Sequence, residues 1–265
     1  MNIVDAHCHI YPEKIAERAV QSVGDFYALR MGGGDGSAQN LLSVTERSDI
    51  SNFIVYSVAL KAGTVASIND FIAEQATLHP EFIGFATMHP DFEDIKGEVE
   101  RCIALGLKGF KLHPDSQTVD LDDPRLMPLY EAIEGRLPIV IHMGDYRYDH
   151  SHPRRLKELL HAFPHLVVNA AHFGGWSVFD LALEYLEDER CFLDVSSSIP
   201  FLGDRRAREL IEIYGYNRIL FGSDYPMWDP ADELAHFRSL GFSAAANEQM
   251  LLRNAERFIG EKIGA

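Results

Sequence analysis

Eight short apolar runs recur along the 265-residue chain, most of them followed by a stretch of helical periodicity, and this alternation constrains the fold more than any other feature. The runs cover residues 3–10, 52–60, 82–89, 107–113, 137–143, 166–172, 191–196 and 218–224. Each has strand length, and several are rich in Val, Ile and Phe. Between them, residues 65–78, 95–105, 154–163, 178–186, 205–214 and 230–240 read as amphipathic helices. Pro153 and Pro230 suit first-turn helix positions, with His152 and Asp229 just ahead of them. A last helix is expected over 244–259, with Ser243 as its N-cap. Strands that alternate with helices form a parallel sheet with right-handed crossovers, and eight strands close a barrel. The expected fold class is therefore α/β, a (β/α)8 TIM-type barrel. A doubly wound open sheet is the alternative, but it wants a glycine-rich phosphate turn after the first strand. DAHCHIYP, at 5–12, supplies none. The stretch MGGGDGS, at 31–37, does not match GxGxxG and reads as a flexible loop. With no repeat, linker or low-complexity tract, one domain over 1–265 is expected.

Charge and cysteine usage narrow the function classes. Asp and Glu number 40 against 24 Lys and Arg, a formal charge of −16 that repels polyanions, so nucleic acid is not an expected partner. No run approaches the ~18 apolar residues that span a bilayer, so no membrane partner is expected. Cys8, Cys102 and Cys191 are an odd number without CxxC spacing, which suits a reducing compartment. The opening MNIVDAHCHIYPEK does not read as a signal peptide, and a cytoplasmic protein is expected.

Histidines cluster at the C-terminal ends of the expected strands, the edge where parallel α/β folds bind ligands. The first run ends in His7-Cys8-His9. Strand alternation puts His7 and His9 on one face and Cys8 on the other. The fifth run ends in His142, the sixth in His172 and the eighth in Asp224. Polar groups on buried strands need a shared partner, and a divalent cation supplies one. Neutral imidazoles with a carboxylate suit zinc, with manganese or iron as alternatives.

These motifs in this order resemble the amidohydrolase superfamily, in the branch that includes aminocarboxymuconate-semialdehyde decarboxylase. The resemblance runs through DAHCHIYP, GFKLHP (109–114), IVIHMGD (139–145), AAHFGG (170–175), FGSDYP (221–226) and NAERFIG (254–260). It implies a distorted (β/α)8 barrel of the metal-dependent hydrolase type. It also implies that His7, His9, His142 and Asp224 hold one divalent metal, with His172 at the metal-bound water or the reacting group. Asp224 and His172 are then the expected catalytic residues, as proton acceptor and oxyanion stabiliser. Two-metal relatives carry a carboxylated lysine or a glutamate on the fourth strand, so a carboxylated Lys111 bridging two ions is an alternative. The preferred reading makes Lys111 or His113 an anchor for an anionic or carbonyl group, with Arg147 as a further substrate-binding candidate. Asp145 resembles the acid that deaminases of the superfamily place after their fifth-strand histidine. Trp228 is a candidate pocket wall, and His89 is expected to be structural.

The expected function is hydrolysis of a small polar or carboxylated substrate through a metal-activated water. Non-oxidative decarboxylation of an unsaturated or aromatic acid on the same centre is the alternative, and deamination is a third chemistry. A catalytically silent metal-binding barrel is the alternative of another class. A small-molecule substrate and a homodimer are the expected partners. The loops 24–40, 114–125 and 144–152 are expected to set selectivity.

Overall fold

A computed structural model describes residues 2–264. Among these residues the strands are β1 (Ile3–His9), β2 (Ile50–Tyr56), β3 (Phe82–Gly84), β4 (Ala86–Thr87), β5 (Phe110–Leu112), β6 (Ile139–Ile141), β7 (Val168–Ala170), β8 (Phe192–Asp194) and β9 (Ile219–Leu220). All pairings are parallel, in the orders β1-β2-β3 and β4-β5-β6-β7-β8-β9. β3 and β4 are two halves of the expected third strand, which bends at Phe85. The Phe85 N–H still donates to Val55 O, at 2.9 Å, whereas Ala86 donates onward to Gly109 O, at 2.8 Å. The ring closes where Ala6 N donates to Phe221 O, Asp224 N to His7 O and His9 N to Tyr225 O, at 2.9, 2.9 and 2.7 Å. The nine strands thus make eight staves of a closed (β/α)8 barrel, as the alternation in the sequence requires.

The staves alternate between two layers. Phe110, Leu112, Ile139, Ile141, Val168 and Leu193 face outward into the helix layer, and Cys8 joins them as expected. Val4, Ala6, Tyr56, Phe85, Val140 and Leu220 pack inside, with Phe258 of the last helix plugging their end. Farther along the same inward rows the residues become polar: Lys111 then His113, Val140 then His142, Phe192 then Asp194. An apolar barrel floor therefore carries a polar mouth.

The expected helices form with ends shifted by a residue or so. His152 and Asp229 cap the helices that open on Pro153 and Pro230, and Ser243 caps the last one, Oγ accepting from Ala246 N at 3.2 Å. That last helix runs through a π stretch at Gln249–Arg253. Among the described residues the two longest helices without a counterpart in the sequence reading are Glu13–Tyr27 and Met127–Ile133, and shorter ones form at Ala38–Leu42, Pro114–Gln117 and Ile199–Leu202. The first of them takes the beginning of the expected loop 24–40. The MGGGDGS stretch is not a free loop either. Gly32 N and Gly33 N donate to Met227 O and Pro226 O, at 2.9 and 3.0 Å, and a Cβ at Gly33 would fall 2.1 Å from Trp228 O. Among the described residues no helix is long and apolar enough to cross a membrane.

Glu233, on the Pro230–Ser239 helix, is buried. Burial, helped by the charges of Asp5, Asp224 and Asp232, raises its carboxyl to about 7, while His236 opposes the shift. The folded chain therefore binds a proton here between pH ~4.5 and ~7 that the unfolded chain has released, and stability falls as pH rises through that window. Glu233→Gln removes the effect. In chelated protein it should match the parent near pH 4 and exceed it by roughly 1–3 kcal/mol at pH 8. Urea denaturation at both pH values checks this, and a pH-independent difference would refute it.

Candidate metal centre

β1 delivers two histidines to the mouth by means of a bulge. Its register against β2 shifts between Asp5 and Cys8. Without the shift, strand parity would place Ala6 and His7 on opposite sides. With it, Ala6 packs inward and both His7 and His9 still reach the mouth. Asp5 ties this turn to the end of β9, its Oδ1 accepting from His7 N at 3.1 Å and Ser223 N at 2.9 Å. Gly222 makes the approach sterically feasible, since a Cβ there would sit 2.8 Å from the His7 Cβ. Asp224 follows with φ +67°, a left-handed conformation that non-glycine residues adopt at a cost and that aims its carboxylate back at β1.

Asp224 Oδ1 lies 3.3 Å from His7 Nε2 and 3.7 Å from His9 Nε2, and the three atoms fall within 4.8 Å of one another. A tetrahedral ion with bonds of about 2.1 Å separates its donors by about 3.4 Å, so the spacing fits one small cation. Donor placement points the same way. His7 Nδ1 lies 3.0 Å from Asp194 Oδ2, which leaves Nε2 as the His7 nitrogen that faces the Asp224 carboxylate. Burial, with nearby Lys111 and His7, holds His9 well below the usual imidazole range, so it is a neutral donor. Imidazole nitrogens and a carboxylate gathered this way suit a shared cation.

Asp194, at the tip of β8, fixes this arrangement and was not singled out from the sequence. Besides His7 it accepts from Asn169 Nδ2 at 2.8 Å, His172 N at 3.1 Å and Ser196 N at 3.1 Å. Burial opposes its charge, but His7 and these hydrogen bonds outweigh burial and hold the carboxyl far below the usual carboxylate range. Asp194→Asn replaces an anionic acceptor with an amide and should weaken divalent-ion affinity about 10–100-fold without unfolding the chain. Competitive metal titration against a fluorescent chelator measures it; unchanged affinity would show that Asp194 does not set the His7 donor.

The structure places His142 differently from the sequence expectation. It does not join His7, His9 and Asp224 but stacks on His113, with ring centroids 3.8 Å apart, and groups with His113 and Asp115. Its Nδ1 faces His172 Nε2 at 3.0 Å and its Nε2 faces Gly144 O at 3.0 Å, while His172 Nδ1 faces Ser196 O at 2.9 Å. A carbonyl thus stands at each end of the pair. Three contacts need three N–H protons, and two neutral rings supply only two. Burial keeps both neutral, pulling His142 well below its usual range and His172 to about 4 against the attraction of Asp224. One ring nitrogen is therefore left facing another lone pair, which again suits a site that receives a cation.

The other candidates divide. Lys111 is fully buried, its Nζ 3.4 Å from His7 Nε2 and 5.0 Å over the Tyr56 ring, and burial lowers it to about 8. His113 lines the cavity at the mouth but is held by the Tyr27 hydroxyl at 2.7 Å. Arg147 is taken up elsewhere. It pairs with Asp145 at 2.6 Å, donates to Phe26 O at 2.7 Å and lies over the Phe26 ring, clamping the Glu13–Tyr27 helix rather than facing the cavity. The Asp145 carboxylate is consumed by the same pair. His89 Nδ1 accepts from Asp91 N at 3.2 Å, a local turn contact. Trp228 does not line the cavity as expected; its Nε1 donates to Ser197 Oγ at 2.8 Å, and Ser197 donates to Asp224 Oδ2 at 2.5 Å. Asp194 and Ser197 both lie in the stretch LDVSSS. An aspartate closing an apolar run was a readable signal for the first; nothing local marks the second.

A cavity of about 670 Å³ opens over the centre, reaching His7, His9, His113, His142, His172 and Asp224 at its base. The profile of a family described as Amidohydrolase matches residues 4–260. Among solved structures, a TIM-barrel protein from Bordetella bronchiseptica is similar at 19% identity and TM-score 0.77, covering 98% of this chain and 99% of that one. A dihydroxybenzoic acid decarboxylase from Polaromonas, solved with manganese and 2-nitroresorcinol, is similar at 18% identity and TM-score 0.75, covering 98% and 97%. A Pseudomonas putida protein provisionally assigned as a 2-pyrone-4,6-dicarboxylic acid hydrolase is similar at 19% identity and TM-score 0.70, again covering 98% and 97%.

Proposed function

The chain belongs to the amidohydrolase family and is an enzyme of that metal-dependent superfamily, and from that premise we propose that it hydrolyses a small carboxylated ester, lactone or amide. The observation that carries this reading is the convergence of His7 Nε2, His9 Nε2 and Asp224 Oδ1 at the base of an open cavity. These three donors would hold one divalent ion, zinc by donor type, with manganese or iron as alternatives. When bound, the ion supplies Lewis acidity, lowering the pKa of a water to about 7 and polarising a carbonyl.

The remaining work falls to side chains. Asp224 accepts the proton of the attacking water, and the hydroxyl of Ser197 on Oδ2 keeps the carboxylate turned toward β1. His172 commits Nδ1–H to the Ser196 carbonyl, so its neutral ring offers Nε2 as an acceptor. It therefore stabilises an oxyanion only once protonated; the proton is the one Asp224 took from the water, passed on to Nε2 and then returned to the leaving group. Lys111 Nζ, within 3.4 Å of His7 Nε2, adds positive potential beneath the reacting carbonyl.

Decarboxylation is the second reading. The aromatic rings of Phe26 and Tyr27 on the cavity wall suit a benzoate, and the Polaromonas neighbour bears such an activity in its name. Metal-reloaded protein assayed on lactones, esters and unsaturated acids in ¹⁸O water separates the two. Incorporation of one solvent oxygen without carbon dioxide release is the expected result. Stoichiometric carbon dioxide with solvent hydrogen at carbon would replace this reading with the second.

A further inference from the structure

The cavity is larger and more apolar than its reacting end requires. From the His–Asp base it runs outward between two walls, with Ile15, Val23 and Phe26 of the Glu13–Tyr27 helix on one side and Leu60, Ile68 and Phe71 on the other. Ile15 is 41% exposed and Leu60 56% exposed, so large apolar side chains on both walls stand uncovered. A volume of about 670 Å³ lies within the roughly 300–1,000 Å³ of small-molecule pockets, so there is room beyond the reacting group. At the outer rim sits Lys61, which lines the cavity and makes no ion pair among the described residues. Other cations such as Lys14, Arg18 and Arg30 are equally unpaired, but among the described residues that line this cavity Lys61 is the one lysine or arginine, in a chain of net charge −16.

We propose that Lys61 is a specificity-determining residue and that the site takes an amphipathic carboxylate. The reacting group lies at the His7–His9–Asp224 base, an apolar segment lies between the walls, and a terminal carboxylate pairs with Lys61. This rests on the hydrolase reading for the identity of the base, but not for the recognition itself. A lone ammonium on a flexible stem suits a monovalent carboxylate at a solvated rim better than a doubly charged phosphate, which wants more donors.

Equilibrium binding to the metal-reloaded protein tests it without turnover. Calorimetric titrations compare glutarate, suberate and sebacate with monocarboxylates of equal length. The parent should prefer one of the longer dicarboxylates over its monocarboxylate by about threefold to tenfold, and the preference should shrink in high salt. Lys61→Met should remove the preference while leaving monocarboxylate binding unchanged, and Lys61→Arg should restore it. Ile15→Asp, on the exposed wall, should weaken both ligand series. No dicarboxylate preference in the parent, no measurable binding at all, or a preference that survives Lys61→Met would overturn the proposal. If the pattern holds while the protein releases carbon dioxide instead of hydrolysing, the hydrolase reading fails and the recognition stands. If hydrolysis is found but the preference is indifferent to Lys61, the recognition alone fails.

Discussion

Asp224→Asn should lose its bound divalent ion under dialysis that leaves the parent loaded, and its turnover should fall by at least about a thousandfold. The substitution keeps shape and keeps an acceptor for the Ser197 hydroxyl, so the side chain can still occupy its position at the end of β9. What it removes is the negative charge 3.3 Å from His7 Nε2 and 3.7 Å from His9 Nε2. Two neutral imidazoles alone are a weak site for a hard dication, and the proton acceptor disappears with the charge. Elemental analysis and a single-turnover assay on the same sample measure both. Full metal retention with lost turnover would confine Asp224 to proton transfer.

His172→Asn should give the opposite split: metal retained, turnover down about 100- to 1,000-fold. His172 stands beside the centre rather than in the His7–His9–Asp224 trio, facing Ser196 O and His142 Nδ1. An amide can still donate to the Ser196 carbonyl but cannot carry a proton. The pH dependence of turnover should flatten as well, which a purely structural role would not cause. If this variant loses its ion while Asp224→Asn keeps it, the two roles are exchanged.

The barrel was legible because it is written locally. Apolar runs of strand length, Pro153 and Pro230 at helix starts and Ser243 at a cap all report on their own segments. The position of His7, His9, His172 and Asp224 at strand ends was equally legible, since parallel barrels gather ligands at that edge. What could not be read depends on pairing across the chain. The bulge in β1 exists only in its register with β2. Ser197 matters because Asp224 folds back onto it from another stave. His142 stands off the trio because its ring stacks on His113. The Glu13–Tyr27 helix was legible but went unread: Ile15, Ala19, Val23 and Phe26 recur along it at helical spacing. Arg147 looked like a free cation, yet its own neighbour Asp145, two residues earlier, neutralises it.

The most direct measurement is anomalous diffraction from crystals of zinc- or manganese-loaded protein. The account predicts one strong peak among His7 Nε2, His9 Nε2 and Asp224 Oδ1, at bonding distance of about 2.0–2.2 Å from each. A peak held instead by His113, Asp115 and His142, or none at saturating metal, would contradict it.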